Sequence, residues 1–134
     1  MIENWKCGKC SKNTSIPTDG SLVQCPQILI IQLNRFQRKN GCLQKNDIEI
    51  GFPNHTIDLK NYYKKDDENA KYNLFAVIAH DGSMTEGHYT NYIKFDNLWF
   101  KFDDENITKV DDNVVMSNAY VLYLRRFGTK TNQQ

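Results

Sequence analysis

Two apolar runs stand out against a mostly polar chain. Residues 27–33 read QILIIQL directly after Pro26, and residues 72–80 read YNLFAVIAH. Both are short and rich in β-branched side chains, so they predict strands, the first of them central in a sheet. Between His88 and Asp103 the pattern alternates instead. Tyr89, Asn91, Ile93 and Phe95 share one parity, and Leu98, Phe100 and Phe102 answer them beyond Asp96-Asn97. Bulky residues on both sides of a short Asx turn predict a β-hairpin with a two-residue loop. In that register Phe95 faces Leu98, Ile93 faces Phe100, Thr90 faces Asp103 and His88 faces Glu105.

The remaining elements are weaker. Ile48-Glu49-Ile50 and the stretch around Ile57 and Leu59 predict short strands, and Ala119 to Leu124 a last one. Residues 37–47 read as a charged loop around Gly41, and 64–70 and 81–85 as further loops. Residues 107–110 read as a polar segment that turns helically around Asp111-Asp112, and 130–134 as a frayed tail. No 12-residue stretch has a convincing amphipathic helical pattern. The expectation is a strand-dominated α+β fold whose antiparallel or mixed sheet needs cover on one face. Its dense aromatic residues fill the core, with a few left to line a groove.

Composition narrows the function classes. Seventeen basic and sixteen acidic residues leave a formal charge of +1, which gives no nucleic-acid footprint. No segment has the length and apolarity of a membrane span, and the N-terminus lacks the apolar stretch of a signal peptide, so the expected setting is cytoplasmic or nuclear. Four cysteines are present, Cys7, Cys10, Cys25 and Cys42. The tight Cys7-Gly8-Lys9-Cys10 spacing favours metal or thiol chemistry over a secreted disulfide framework.

The hairpin carries the candidate chemistry. His88 and Asp103 sit one diagonal apart on the same side of the predicted sheet, roughly 7–8 Å between backbone positions and closer between side chains. A carboxylate that accepts from one ring nitrogen fixes the tautomer and leaves the other nitrogen free to take a proton from a nucleophile. The same residues also fit a surface or packing histidine, and Asp103 also fits a turn cap.

Seven pieces now occur in a recognisable order: WKCGKC at 5–10, CPQILIIQLNRF at 25–36, FPNHTIDL at 52–59, YNLFAVIAHDG at 72–82, EGHYTNYI at 86–93, WFKFDDENI at 99–107 and AYVLYLRR at 119–126. Over roughly residues 5–126 the chain resembles the C-terminal half of the catalytic domain of the ubiquitin-specific proteases, papain-like cysteine deubiquitinases. The resemblance implies a fingers segment at 1–24 with part of a zinc ribbon, a palm-like sheet at 25–127 and a flexible tail at 128–134. It makes His88 the general base, Asp103 the residue that orients it and Asp104 an assisting polar neighbour. Residues 80–87 match a loop beside the channel for the ubiquitin tail, with Gly87 and Tyr89 on its wall.

Cys7 and Cys10 match the second cysteine pair of the zinc ribbon, half of a tetrahedral site. Alone, the pair also fits weak metal binding, pairing between chains or a local disulfide, and the first twenty residues are expected to be disordered without a partner. The family's nucleophile lies in an upstream Gly-Asn-Thr-Cys box that this sequence does not contain. Cys25 reads as a buried small hydrophobe and Cys42 as an exposed thiol, so the chain by itself is expected to be inactive. The initial Met and the start at the second cysteine pair suggest truncation. The implied partners are ubiquitin and the N-terminal half of the catalytic domain. The alternatives are a non-catalytic ubiquitin-binding or scaffold domain derived from the same fold, and a small zinc-ribbon protein.

Overall fold

The computed structural model describes residues 2–16, 20–52, 55–63, 70–116 and 118–128. Eleven strands run in chain order among them: β1 (Ile2–Lys6), β2 (Asn13–Ile16), β3 (Ile28–Gln32), β4 (Phe36–Lys39), β5 (Cys42–Lys45), β6 (Thr56–Asp58), β7 (Lys71–Gly82), β8 (Gly87–Phe95), β9 (Leu98–Asp103), β10 (Asn106–Val110) and β11 (Ala119–Arg126). Short 3-10 turns lie at Lys60–Tyr62 and Asp112–Val114.

The main sheet has seven strands, in the order β10-β9-β8-β7-β11-β3, with β6 pairing β7. Each pair of neighbouring strands in it is antiparallel. The twelve-residue β7 organises it. One edge of β7 pairs with β11 along its length, while the other takes β6 at Lys71–Asn73 and β8 from Ala76 onward. One sheet face is closed. Trp99, Tyr72, Leu74, Leu124, Val77 and Val115 are its largest fully buried side chains, and Leu22, Cys25, Leu59 and Met116 pack with them. The Tyr72 hydroxyl donates to the Pro26 carbonyl at 2.7 Å and so ties the segment before β3 to the core.

Much of the other face is apolar and open. Ile30 is 58% exposed and Phe95 67%, with Ile28, Ile93 and Leu98 also exposed. This explains the first departure from the sequence reading. The 27–33 run is an edge strand paired to β11 alone, rather than a central one. Its apolar residues on both parities reflect an uncovered second face instead of two buried ones.

Other expectations change locally. The 37–47 loop is a hairpin, β4–β5, turned at Asn40-Gly41, whose φ values of 52° and 81° are both left-handed. An Asn-Gly pair is the residue choice such a turn demands. Residues 48–50 form no strand. The Arg35 guanidinium, itself buried, donates to the carbonyls of Asn46 and Ile48 and, through Nε, to Ala119, which uses the backbone groups a ladder would need. The 81–85 loop shrinks to 83–86, because β7 runs through Gly82. Residues 106–110 are strand β10, and the helical turn follows at Asp112–Val114. Residues 2–16 form the antiparallel β1–β2 hairpin in place of the expected disorder. Residues 64–69 and 129–134 lie outside the described residues.

Candidate active site

The β8–β9 hairpin has the predicted register: Phe95 pairs with Leu98, Ile93 with Phe100 and Asn91 with Phe102. Asp96 and Asn97 make its turn at φ of 45° and 62°. His88 stands at the open end of β8 and Asp103 ends β9. Across the diagonal, His88 Nε2 and Asp103 Oδ1 are 2.6 Å apart. Since Nε2 is the nitrogen engaged, Nδ1 is the one left for another group.

Asp103 is held from both sides. Its second oxygen accepts from Lys101 Nζ at 2.8 Å. Lys101 and Asp103 are two residues apart on one strand, so they share a face, and the same alternation that found the hairpin could have pointed to Lys101. Asp104 occupies the next turn at φ 51°. The ligand atoms of His88, Asp103 and Asp104 all lie within 4.8 Å of one another, close enough for a cation, though His88 Nε2 and Asp103 Oδ1 are already spent on each other. No cysteine joins this group among the described residues.

The hydrogen bond to Asp103 raises the His88 pKa above the ordinary histidine value, and the charges of Asp103 and Asp104 add to it against the opposing Lys101. Asp103 is lowered, first by Lys101 and then by His88. Lys101 is raised by the same bond. Protonated His88 therefore stabilises the fold fully below the unfolded histidine value of about 6.5, and that contribution disappears as pH rises through the higher folded value. Ionised Asp103 contributes above the unfolded aspartate value and stops contributing as pH falls through its lower folded value. The side chains are 50% and 36% exposed, so solvent and salt screen the pair. An Asp103→Asn substitution is expected to bring the His88 titration midpoint, followed by imidazole NMR, down toward the ordinary value. An unmoved midpoint would contradict the pairing.

The other candidate residues lie apart. Tyr89 points to the opposite sheet face from His88, half exposed and tilted against the His80 ring at 4.6 Å. Gly87 precedes His88, and a methyl group there would fall 2.0 Å from His80 Nε2. Sequence reading missed two further participants. Asp81 pairs with His88 in the β7–β8 ladder, and the Asn118 side-chain amide donates to Asp81.

Cys7 and Cys10 flank the turn between β1 and β2. There Ser11 N–H donates to the Cys7 carbonyl and Cys7 N–H to Lys12. Backbone N–H groups of Cys10 and Lys9 lower the Cys7 thiol pKa, and the Cys10 side chain adds to this. All four cysteines are free. Cys25 is buried in the core and Cys42 exposed at the start of β5, as the sequence implied.

Comparison with known proteins places the chain in a family. The family model described as ubiquitin carboxyl-terminal hydrolase matches residues 1–123. Ubiquitin carboxyl-terminal hydrolase 9 of Arabidopsis thaliana is 36% identical over 134 residues, covering 97% of this chain and 15% of that protein. Among solved structures, the Ubp8-Sgf11-Sgf73-Sus1 SAGA DUB module aligns with a TM-score of 0.69 at 29% identity, over 82% of this chain and 26% of that one. The Ubp8/Sgf11/Sus1/Sgf73 module bound to ubiquitin aldehyde aligns with a TM-score of 0.69 at 27% identity, over 95% of this chain and 30% of that one. The chain thus spans a minor part of the proteins it matches. Within that part, the family model's match over residues 1–123 leads to one assignment: this chain belongs to the ubiquitin carboxyl-terminal hydrolase family.

Proposed function

We propose that this chain is the base-bearing part of a ubiquitin-specific cysteine protease, acting at the C-terminal glycine of ubiquitin with a nucleophilic cysteine that the chain does not contain. The observation that carries the reading is the 2.6 Å bond between His88 Nε2 and Asp103 Oδ1. Nδ1 of His88 takes the proton of the cysteine thiol. The thiolate attacks the glycine carbonyl, and the resulting imidazolium returns the proton to the leaving amine as the acyl-enzyme forms. Water, deprotonated by the same nitrogen, then releases ubiquitin and restores the thiol. Asp103 orients the ring, Lys101 holds Asp103, and Asp104 adds negative charge beside them. A raised histidine pKa suits this chemistry, because an imidazolium beside the cysteine favours its thiolate.

In this reading residues 1–24 are a fingers segment, 25–127 a palm sheet and 128–134 a tail. Ubiquitin and the N-terminal half of the domain are the partners, Gly87 and Tyr89 line the ubiquitin-tail channel, and the enzyme works in the cytoplasm or nucleus. Cys7 and Cys10 would hold a structural zinc with a second cysteine pair from outside this chain. The backbone N–H groups that favour the Cys7 thiolate suit such a site, since zinc binds the deprotonated sulfur.

The test is a chimera in which this chain replaces the matching segment of the Arabidopsis hydrolase. Hydrolysis of a ubiquitin C-terminal amide substrate is expected, and a folded, ubiquitin-binding but inert chimera would contradict the reading. That no cysteine joins His88, Asp103 and Asp104 among the described residues favours a second possibility, a non-catalytic ubiquitin-binding module. Titrating labelled ubiquitin with the chain alone separates this out, because a flat curve at high micromolar protein removes it.

A further inference from the structure

A second histidine lies on the sheet face opposite the His88–Asp103 pair. His80 is directly across the β7–β8 ladder from Tyr89 and one diagonal step from Gly87. It is 3% exposed. The rings of Tyr89, Phe36 and Tyr120 enclose it at centroid distances of 4.6, 5.5 and 6.1 Å. Its backbone is held as well. The amide donates to the Asn118 carbonyl at 3.0 Å, and the carbonyl accepts from Lys45 Nζ at 2.7 Å.

The contact with Gly87 is the telling one. Gly87 is absent from the glycines with positive φ, so its backbone does not call for glycine. Space does, because a Cβ at 87 would lie 2.0 Å from His80 Nε2 and 2.7 Å from Cε1. The imidazole fills the notch left by the missing side chain. His88 sits between the two residues that His80 touches, and its own side chain leaves on the other face. In a strand the backbone sets where a side chain projects, and the diagonal reach to Asp103 leaves little slack.

We propose that His80 is a positioning residue for His88: packed against Gly87 and Tyr89 from behind the sheet, its ring fixes the strand segment from which His88 reaches Asp103. This rests on His88 being the base. The role requires a ring in that notch more than it requires a titrating nitrogen. His80 Nδ1 is buried without a protein partner among the described residues, a cost that an apolar ring would avoid.

The test uses the 134-residue chain with labelled histidines, following the His88 midpoint by NMR and the sheet by circular dichroism. Besides Asp103, the charged groups facing His88 are Lys101 on β9, Asp104 in the following turn and Asp81 on β7, and these stay unchanged throughout. His80→Ala is expected to keep the sheet and lose the upward displacement of the His88 midpoint, and Gly87→Ala to do the same, because its methyl group displaces the His80 ring from the notch. His80→Phe is expected to retain both the sheet and the wild-type midpoint. A folded His80→Ala chain with a wild-type midpoint overturns the proposal, and so does loss of the sheet in both alanine variants, which would make the residue purely structural. An Asp103→Asn arm separates the levels. If it leaves the midpoint unchanged, the base reading fails; if it lowers the midpoint while His80→Ala does not, only this inference fails.

Discussion

Replacing His88 by alanine in the active chimera is expected to lower kcat by about 10²–10⁴-fold, the usual contribution of a positioned general base. The affinity for ubiquitin should be nearly unchanged, because the imidazole acts on a proton in flight rather than on the bound protein. Equal falls in kcat and kcat/KM are the signature of an interaction made only in the transition state. Asp103→Asn should cost less than His88→Ala, since an amide can still accept from Nε2 but no longer balances the imidazolium charge. Steady-state kinetics on a ubiquitin C-terminal amide would check both. A variant that raised KM at constant kcat would place His88 in ubiquitin binding instead.

The largest expected effect on stability is at Trp99. It pairs with Lys94 and Val110 across its two neighbouring strands, is 1% exposed, and meets the His55 ring edge-on at 5.4 Å with the Lys94 ammonium over its face at 5.7 Å. Trp99→Ala removes an indole from the middle of the closed face and is expected to cost about 3–5 kcal/mol. Whole domains have only about 5–15 kcal/mol, and this sheet leaves one apolar face uncovered, so the variant should be largely unfolded at mild urea. Trp99→Phe should be far milder. It keeps most of the packing and removes Nε1, which is buried without a protein partner among the described residues, a defect worth about 1–3 kcal/mol. Urea unfolding of both variants is the check, and equal losses would show that the core does not depend on filling that volume.

What the sequence revealed, and what it hid, follows from how many constraints each segment carried. Alternation from Tyr89 to Phe102 and the Asp96-Asn97 turn both fix one register, so the His88–Asp103 contact was legible in the sequence. Residues 36–45 lacked alternation because most of their side chains are exposed on both sides of the ribbon. Only Asn40-Gly41 marked the hairpin, and the surrounding charges masked it. At 48–50 alternation misled, because the buried Arg35 claims the backbone there. The 27–33 run misled differently, since apolar residues on both parities describe equally a strand buried twice and an edge strand with an uncovered face. His80 lay within a recognisable piece of the sequence, yet nothing there pointed to its contact with Gly87, which only the folded ladder creates.

The most direct measurement is the mass of the product formed with an electrophilic ubiquitin probe. The chain alone should form no adduct on Cys7, Cys10, Cys25 or Cys42. The chimera should form one at the cysteine of its Gly-Asn-Thr-Cys box, at a rate that collapses with His88→Ala. A stoichiometric adduct on Cys25 or Cys42 of the isolated chain, or a chimera adduct indifferent to His88, would contradict the assignment of His88 and Asp103 as the base half of a cysteine deubiquitinase centre.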